Sequence, residues 1–290
     1  METEVFKGNM KCLEPLHHGG NESYGTTKLI LALPCVVKNP LTGEKEIDNV
    51  PAIHGNAIRG ILRRLMMQDY LDRLDYKLDS LKVYHFLFTG GMLEATSKDS
   101  GVMDLKLKKR IRDLIPPISL VGSALGNQMI QGKLKVGIGN LVCQETKDYV
   151  DGLDTDFSSY NLKASDFGTR LDDLKEGKTK EEQKAKKQKD EQSNQMLYEF
   201  ETVVRGAIFT HEYVLEDASP VERACFKNAY DLLCERPYLG GKSATGYGKM
   251  RFDYPSLNSD EISTAPYFDY INENKDDMCA LLDELVGKWK

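Results

Sequence analysis

The sequence predicts an α+β fold, and three observations carry that prediction. Runs that alternate apolar and polar residues recur near both ends of the chain and at its centre. Two other segments repeat apolar residues at helical spacing, each behind a residue suited to capping a helix. Their order is strand, helix, strand, strand, helix, strand, which is a ferredoxin-like plan with large insertions between its parts.

Val5 to Pro15 is rich in strand formers and ends at a proline, so it reads as the first strand. Leu16 to Gly25 reads as a polar loop with three glycines and the histidine pair His17 and His18. Adjacent histidines alone do not make a metal site. Leu29 to Lys38 is a second extended run, followed by a turn over Asn39 to Gly43. Asn56 is placed to cap a helix on which Ile58, Ile61, Leu62, Leu65 and Met66 share one face. Its opposite face carries Arg59, Arg63 and Arg64. With His54 and Gly55 leading into its free N–H groups, this start suits a phosphate; an ordinary solvated arginine face fits equally well.

Asp69 to Tyr84 continues or restarts the helix, and His85 to Glu94 is apolar with a Gly-Gly turn. A basic cluster follows at Leu105 to Arg112, and then the apolar stretch Ile115 to Gly126. Gly132 to Cys143 alternates into a strand. Glu176 to Gln192 has no large apolar residue and cannot bury enough surface to order itself, so Asp148 to Gln195 reads as a mobile arm. Met196 to Arg205 and Ala207 to Leu215 alternate as strands, bent or bulged at Gly206. Ser219, Pro220 and Glu222 open a second helix that runs to Cys234. Lys249 to Tyr254 is the last strand, and Asp276 to Trp289 reads as a short amphipathic helix.

Between that second helix and the last strand lie Gly240, Gly241, Gly246 and Gly248, with Lys242, Ser243 and Lys249 among them. Glycines so dense let backbone N–H groups converge on an anion, although a plain tight turn has the same composition. A P-loop would need glycine at Arg236, and a dinucleotide fingerprint would need one at Arg251; both are excluded.

The 290 residues carry 39 Lys and Arg against 45 Asp and Glu, for a net charge of −6. That balance does not favour nucleic acid, yet a minority basic face is compatible with it. Mean hydropathy is −0.46. The longest apolar run, Leu29 to Val37, is too short to span a bilayer, and the acidic start lacks a signal sequence, so a cytoplasmic protein without membrane contact is expected. Six scattered cysteines without a C-x-x-C pair read as reduced core residues. No cofactor or metal is expected.

Ile53 to Arg63, with the first strand before it and the late Gly-Gly-x-x-x-x-Gly-x-Gly loop after it, resembles the RAMP superfamily of CRISPR-associated proteins. More narrowly, it resembles the guide-RNA-binding backbone subunit of multi-subunit effector complexes. Ser119 to Val136 is similar to a family segment that closes the insertion and re-enters the sheet, in a version that resembles type IV complexes. The resemblance implies an RRM-type core with a helical or finger insertion and a thumb hairpin. Residues 1–79 are then the first half of the palm, 80–130 an insertion, 131–147 a palm strand and 148–200 the thumb. Residues 201–256 are the second half of the palm and 257–290 a tail and helix. It implies as partners a guide RNA (crRNA), target nucleic acid held by base pairing, further copies of the chain in a filament, and other effector subunits.

Under this reading His17, His18, Gly19, Asn21, His54, Gly55, Asn56, Arg59, Arg63, Gly240, Gly241, Lys242, Ser243 and Lys249 hold RNA by its sugar–phosphate chain. No residue is expected to be catalytic. The alternative is an endoribonuclease that cleaves target RNA or processes precursor guide RNA. Related type III subunits cut with an aspartate after the first strand, whereas Tyr24 to Pro40 contains no Asp or Glu; Glu22, Asp48, His17 and His18 keep the alternative open. A third reading gives the glycine loop a small nucleotide or another anionic metabolite.

Overall fold

The computed structural model describes residues 2–38, 42–91, 104–125, 128–150, 153, 156–170 and 196–288. The chain begins with β1 (Thr3–Cys12), β2 (Gly19–Tyr24), β3 (Thr27–Ile30), β4 (Ala32–Lys38) and β5 (Lys45–Ile53). Four helices follow: α1 (Gly55–Leu74), α2 (Leu81–Tyr84), α3 (Leu105–Leu114) and α4 (Pro116–Val121). Next come the short strands β6 (Ser123–Leu125), β7 (Gln128–Ile130), β8 (Leu134–Val136) and β9 (Gly139–Leu141). The longer β10 (Lys163–Arg170), β11 (Met196–Val203) and β12 (Ile208–Glu216) lead to α5 (Pro220–Glu235) and β13 (Met250–Asp253). The chain closes with α6 (Pro255–Asn258), α7 (Ala265–Glu273) and α8 (Lys275–Lys288).

Mixed α+β structure with largely antiparallel sheets is therefore what the sequence builds. Among the described residues, one sheet runs β13-β1-β12-β9-β5-β4, with β8 also paired to β12. Every pairing in it is antiparallel. Phe6 on β1 and Tyr213 on β12 turn to one side, where both meet Phe226 of α5 at ring centroids 5.5 and 5.2 Å apart. On that side α1 packs beside α5, and the Asn228 amide donates to the Asp69 carboxylate at 3.0 Å. Ile58, Leu62 and Met66 of α1 are fully buried, each burial stabilising by about 1.5–3 kcal/mol. No described helix is long and apolar enough to cross a membrane.

Helix α5 starts as expected: Ser219 and Glu222 form a capping box, with Pro220 in the first turn. Glu222 is also bonded by Lys133 at 2.7 Å. Burial works against its charge, yet the bonds from Lys133, Ser119 and the Ser219 N–H hold its carboxyl below the usual range. Helix α1 differs from the expectation. It begins at Gly55, and its cap is His54, whose Nδ1 accepts from the Asn56 N–H at 3.1 Å. A histidine ring does the work that the sequence assigned to Asn56.

Several strands also differ. Leu16 to Gly25 is not all loop, because Gly19–Tyr24 pairs with β3 as an edge strand that shows no apolar alternation. The run from Leu29 to Lys38 is split at Leu31, where the chain leaves one sheet for the other. Leu31 donates to the His18 carbonyl at 2.7 Å and accepts from Ala52 at 3.1 Å. Gly132 to Cys143 is interrupted between β8 and β9, where the Gly137 N–H donates to the Glu212 carbonyl at 2.9 Å. Beyond Gly206, at φ 86°, the chain changes sheets, so β11 and β12 do not pair as one bent strand. Instead β11 joins β10, β3 and β2 in a second sheet. Helices α3, α4, α6 and α7 were not anticipated, and the part of the expected arm at Lys163–Arg170 is instead strand β10, held by its pairing with β11. The turn at Asn39 to Leu41, the lysine-rich part of the expected arm (171–195) and Trp289 lie outside the described residues.

His211 on β12 is 5% exposed, and its Nδ1 lies 2.7 Å from the Tyr254 hydroxyl. Burial pushes its pKa down to about 4. The unfolded chain therefore binds a proton near pH 6.5 that the folded chain refuses until about pH 4. Folding stability is expected to fall between pH 6.5 and pH 4, by up to ~3 kcal/mol from this group. Denaturant melts across that range should show the loss, and His211→Gln should flatten this part of the profile.

Candidate nucleic-acid interface

The residues that join the parts are Pro15 to His18. The Gly248 N–H donates to the Pro15 carbonyl at 2.8 Å, and Leu16 exchanges backbone bonds with Val203 of β11 at 2.9 and 2.8 Å. The Gly241 N–H donates to the His17 carbonyl at 2.8 Å. His17 Nδ1 bonds the Glu201 carbonyl at 2.8 Å, and its ring meets Phe200 edge-on at 5.1 Å. His18 Nε2 accepts the His54 N–H at 3.2 Å. The glycine loop and the start of α1, almost two hundred residues apart in sequence, are thus tied to the same four residues.

Close approach makes glycine necessary at two points here. A Cβ at Gly55 would collide with the carbonyl oxygens of Val136 and Gly137. Gly240 has φ 75°, and its Cβ would lie 2.5 Å from the His17 carbonyl oxygen. Around these joints Gly19, Asn21, His54, Asn56, Gly240, Gly241 and Ser243 are exposed. Burial lowers the pKa of His18, and the neighbouring His54 and His17 lower it further. The ring is therefore neutral near pH 7, as an acceptor for the His54 N–H must be.

The structure corrects the expected role of the arginines. Arg63 is 7% exposed and donates to the carbonyls of Gly122 and Val121 at 2.8 and 3.0 Å. Arg59 bonds the same Val121 carbonyl. These carbonyls end α4, where a helix leaves acceptors unpaired and a cation is favoured. Burial and the adjacent Arg59 charge lower the Arg63 pKa to about 10, so it stays charged at neutral pH. Arg63 is a structural cap, not a solvent-facing phosphate ligand.

Lys242 is also engaged. Its backbone is left-handed at φ 62°, and its ammonium lies 4.0 Å from the Phe200 ring centroid and 4.3 Å from that of Tyr198. It donates to the Tyr198 hydroxyl at 3.1 Å. Tyr247 meets Phe200 edge-on and donates to Asp166, whose pKa that bond lowers. The Lys249 carbonyl accepts from the Leu13 and Glu14 N–H groups at 2.9 and 3.1 Å. Sequence reasoning missed Tyr198, Phe200, Tyr247, Asp166 and Glu201. The alternation Tyr198-x-Phe200 marks one face of a strand, but nothing local says that the glycine loop lies upon it.

Among the described residues no group of three or more His, Cys, Asp or Glu side chains is placed to hold a metal. His17 and His18 each have a bonding partner within the protein. The arrangement offers neutral N–H, amide and hydroxyl groups along a surface rather than an enclosed acid–base pair. Groups of that kind donate hydrogen bonds to a polyanion without reading sequence.

Residues 9–251 match the RAMP superfamily, and the chain belongs to it. No curated protein matches the sequence. Among solved structures, the fold is similar to a chain of a "Type IV-B CRISPR Complex", with a TM-score of 0.64 and 18% identity. The match covers 93% of this chain and 98% of that one.

Two substitutions test the joints. Gly55→Ala should destabilise by about 1–3 kcal/mol despite the better helix propensity of alanine, because its methyl meets two backbone oxygens. Arg63→Met should cost about 2 kcal/mol or more by orphaning the α4 carbonyls, while leaving polyanion affinity unchanged. Denaturant melts and a binding titration on the same samples separate the two effects.

Proposed function

We propose that this chain is a crRNA-binding backbone subunit of a CRISPR effector complex, of a type IV-like kind. It holds guide RNA by the sugar–phosphate chain and presents the bases for pairing with target, without cutting. The observation that carries the reading is the double attachment of Pro15 to His18, which makes one surface of the glycine loop and the N-terminal turn of α1. Membership of the RAMP superfamily and likeness to a chain from a type IV-B complex support it.

Within this reading, β1, α1, β8 with β9, β12, α5 and β13 are a ferredoxin-like palm. Residues 80–130 are its insertion, and the β10–β11 hairpin carries the thumb. Guide phosphates lie against Asn56, Ser243, the loop N–H groups and the positive end of α1. Delegating sequence to base pairing needs only such positioning contacts. Copies of the chain along one RNA, with other subunits, complete the assembly.

The absence of nuclease chemistry in the proposal is supported by the state of the histidines. His18 is spent as an acceptor for the His54 N–H, and the ring of His17 is bonded to Glu201.

The test uses charge at the start of α1. Asn56→Glu places an anion where the helix favours it, so folding should hold or improve by a few tenths of a kcal/mol. The same anion should repel phosphate and weaken RNA binding by about tenfold, equally for unrelated sequences. RNA of uniform length should co-purify with the wild-type chain, and matched labelled target RNA should remain intact on incubation with the complex. Undiminished RNA binding by Asn56→Glu would sink the assignment of this surface, and specific cleavage would sink the non-nuclease role.

A further inference from the structure

The side of the large sheet opposite α1 and α5 carries charge that the guide surface does not use. Lys11 of β1 stands directly across from Arg251 of β13 in the antiparallel register. Their neighbours Met10, Cys12, Met250 and Phe252 are all buried toward the helices, so strand alternation turns Lys11 and Arg251 the other way. Lys249, two residues before Arg251 and exposed, faces that side too. Three cations therefore share one corner of an acidic protein.

Like charges placed directly opposite on neighbouring strands are destabilising, by roughly 0.2–1 kcal/mol. Among the described residues no ion pair relieves these three. Glu14 is the acid beside Lys249, and it is already paired with Arg205 at 2.6 Å. Asp253 lies across from Asn9, and Glu212 lies across from Lys7, farther along the strands. Among the described residues the corner keeps a local excess of positive charge.

Next to this corner is an open groove of about 530 Å³ lined by Pro15, Tyr238, Thr245, Gly246, Tyr247 and Lys249, together with the Glu14–Arg205 ion pair and with Asp166, which accepts from the Tyr247 hydroxyl. Tyr238 is 41% exposed and pairs through its backbone with Lys249. Unneutralised cations flanked by an exposed aromatic ring and a groove suit a ligand that joins phosphate to a flat ring. A nucleotide within a single strand has both parts. An acidic protein segment would supply charge but no planar group for the groove.

We propose that Lys11, Lys249 and Arg251, with Tyr238, form a contact for single-stranded nucleic acid separate from the His54 surface. The cations hold the phosphates, and a base lies against Tyr238. This contact does not depend on whether guide RNA follows the His54 surface.

The test is a fluorescence-anisotropy titration of the full-length chain with a labelled oligouridylate of about ten nucleotides, a length within known single-strand site sizes. It is repeated over a salt series. The triple variant Lys11→Ala, Lys249→Ala, Arg251→Ala should bind about tenfold or more weakly, with the log–log salt slope reduced by about 2, at ~0.7 per neutralised phosphate. Tyr238→Ala should weaken binding several-fold with an unchanged slope. Arg110→Ala, whose partner Glu284 lies at 2.8 Å on α8, is the control and should bind as wild type. RNA that co-purifies should be retained by the triple variant, since its proposed seat is elsewhere.

Wild-type affinity and slope in the triple variant would overturn the proposal, and loss of an acidic protein partner in the same variant would assign the corner to that partner. Loss of the co-purified RNA together with oligouridylate binding would overturn the separateness of the two contacts. Absence of co-purified RNA from the wild-type chain, with the oligouridylate effects intact, would count against the guide reading alone.

Discussion

Four residues, Pro15 to His18, hold the architecture together by their backbone. Their carbonyls and amides bond outward to the glycine loop, to β11 and to the start of β4, while the His18 ring takes the N–H that opens α1. A buried or half-buried backbone polar group left unpaired costs as much as a lost hydrogen bond, so each bond constrains where its partner can lie. Two sheets, one helix and one loop are thereby placed by a stretch that belongs to no long strand. The proline contributes by removing a donor just where the chain leaves β1, which frees the segment to bond sideways rather than continue the ladder.

The surface that results relies little on formal charge. Arg59 and Arg63 are turned to the end of α4, and Lys242 lies over Phe200 and Tyr198, so cations that a sequence reader assigns to a ligand are consumed by the fold. A phosphate chain meeting this surface would find dipoles: loop amides, a helix start, an asparagine and a hydroxyl. Such groups fix position while remaining indifferent to base identity. The net charge of −6 is compatible with this division, because neutral groups rather than a surplus of cations line the surface.

Features with a local cause were legible in the sequence. Ser219, Pro220 and Glu222 announce a helix start by chemistry contained in four residues, and the spacing of Ile58, Leu62 and Met66 announces a buried face. The α+β class follows from such signals. What was not legible depends on partners distant in sequence. That His54 caps α1 in place of Asn56 depends on ring geometry, and that Gly19–Tyr24 is a strand depends on β3 being present to pair with it. The fate of Arg63 was hidden for the same reason: an arginine on a helical repeat looks solvated until a second helix ends against it. The match of residues 9–251 to the RAMP superfamily agrees with the resemblance read from the two glycine-bearing motifs, since those motifs lie within the matched span.

The seating of Lys242 has a further consequence for the glycine loop. Chains with several glycines lose much conformational freedom when they become ordered, and a ligand that must order them binds more weakly for it. Here the ammonium over two rings, the Tyr247 bond to Asp166 and the amide bond to His17 fix the loop within the free protein. Most of that entropy is surrendered during folding, so an anionic ligand arriving at the loop would meet donors already in place and keep more of its contact energy as affinity.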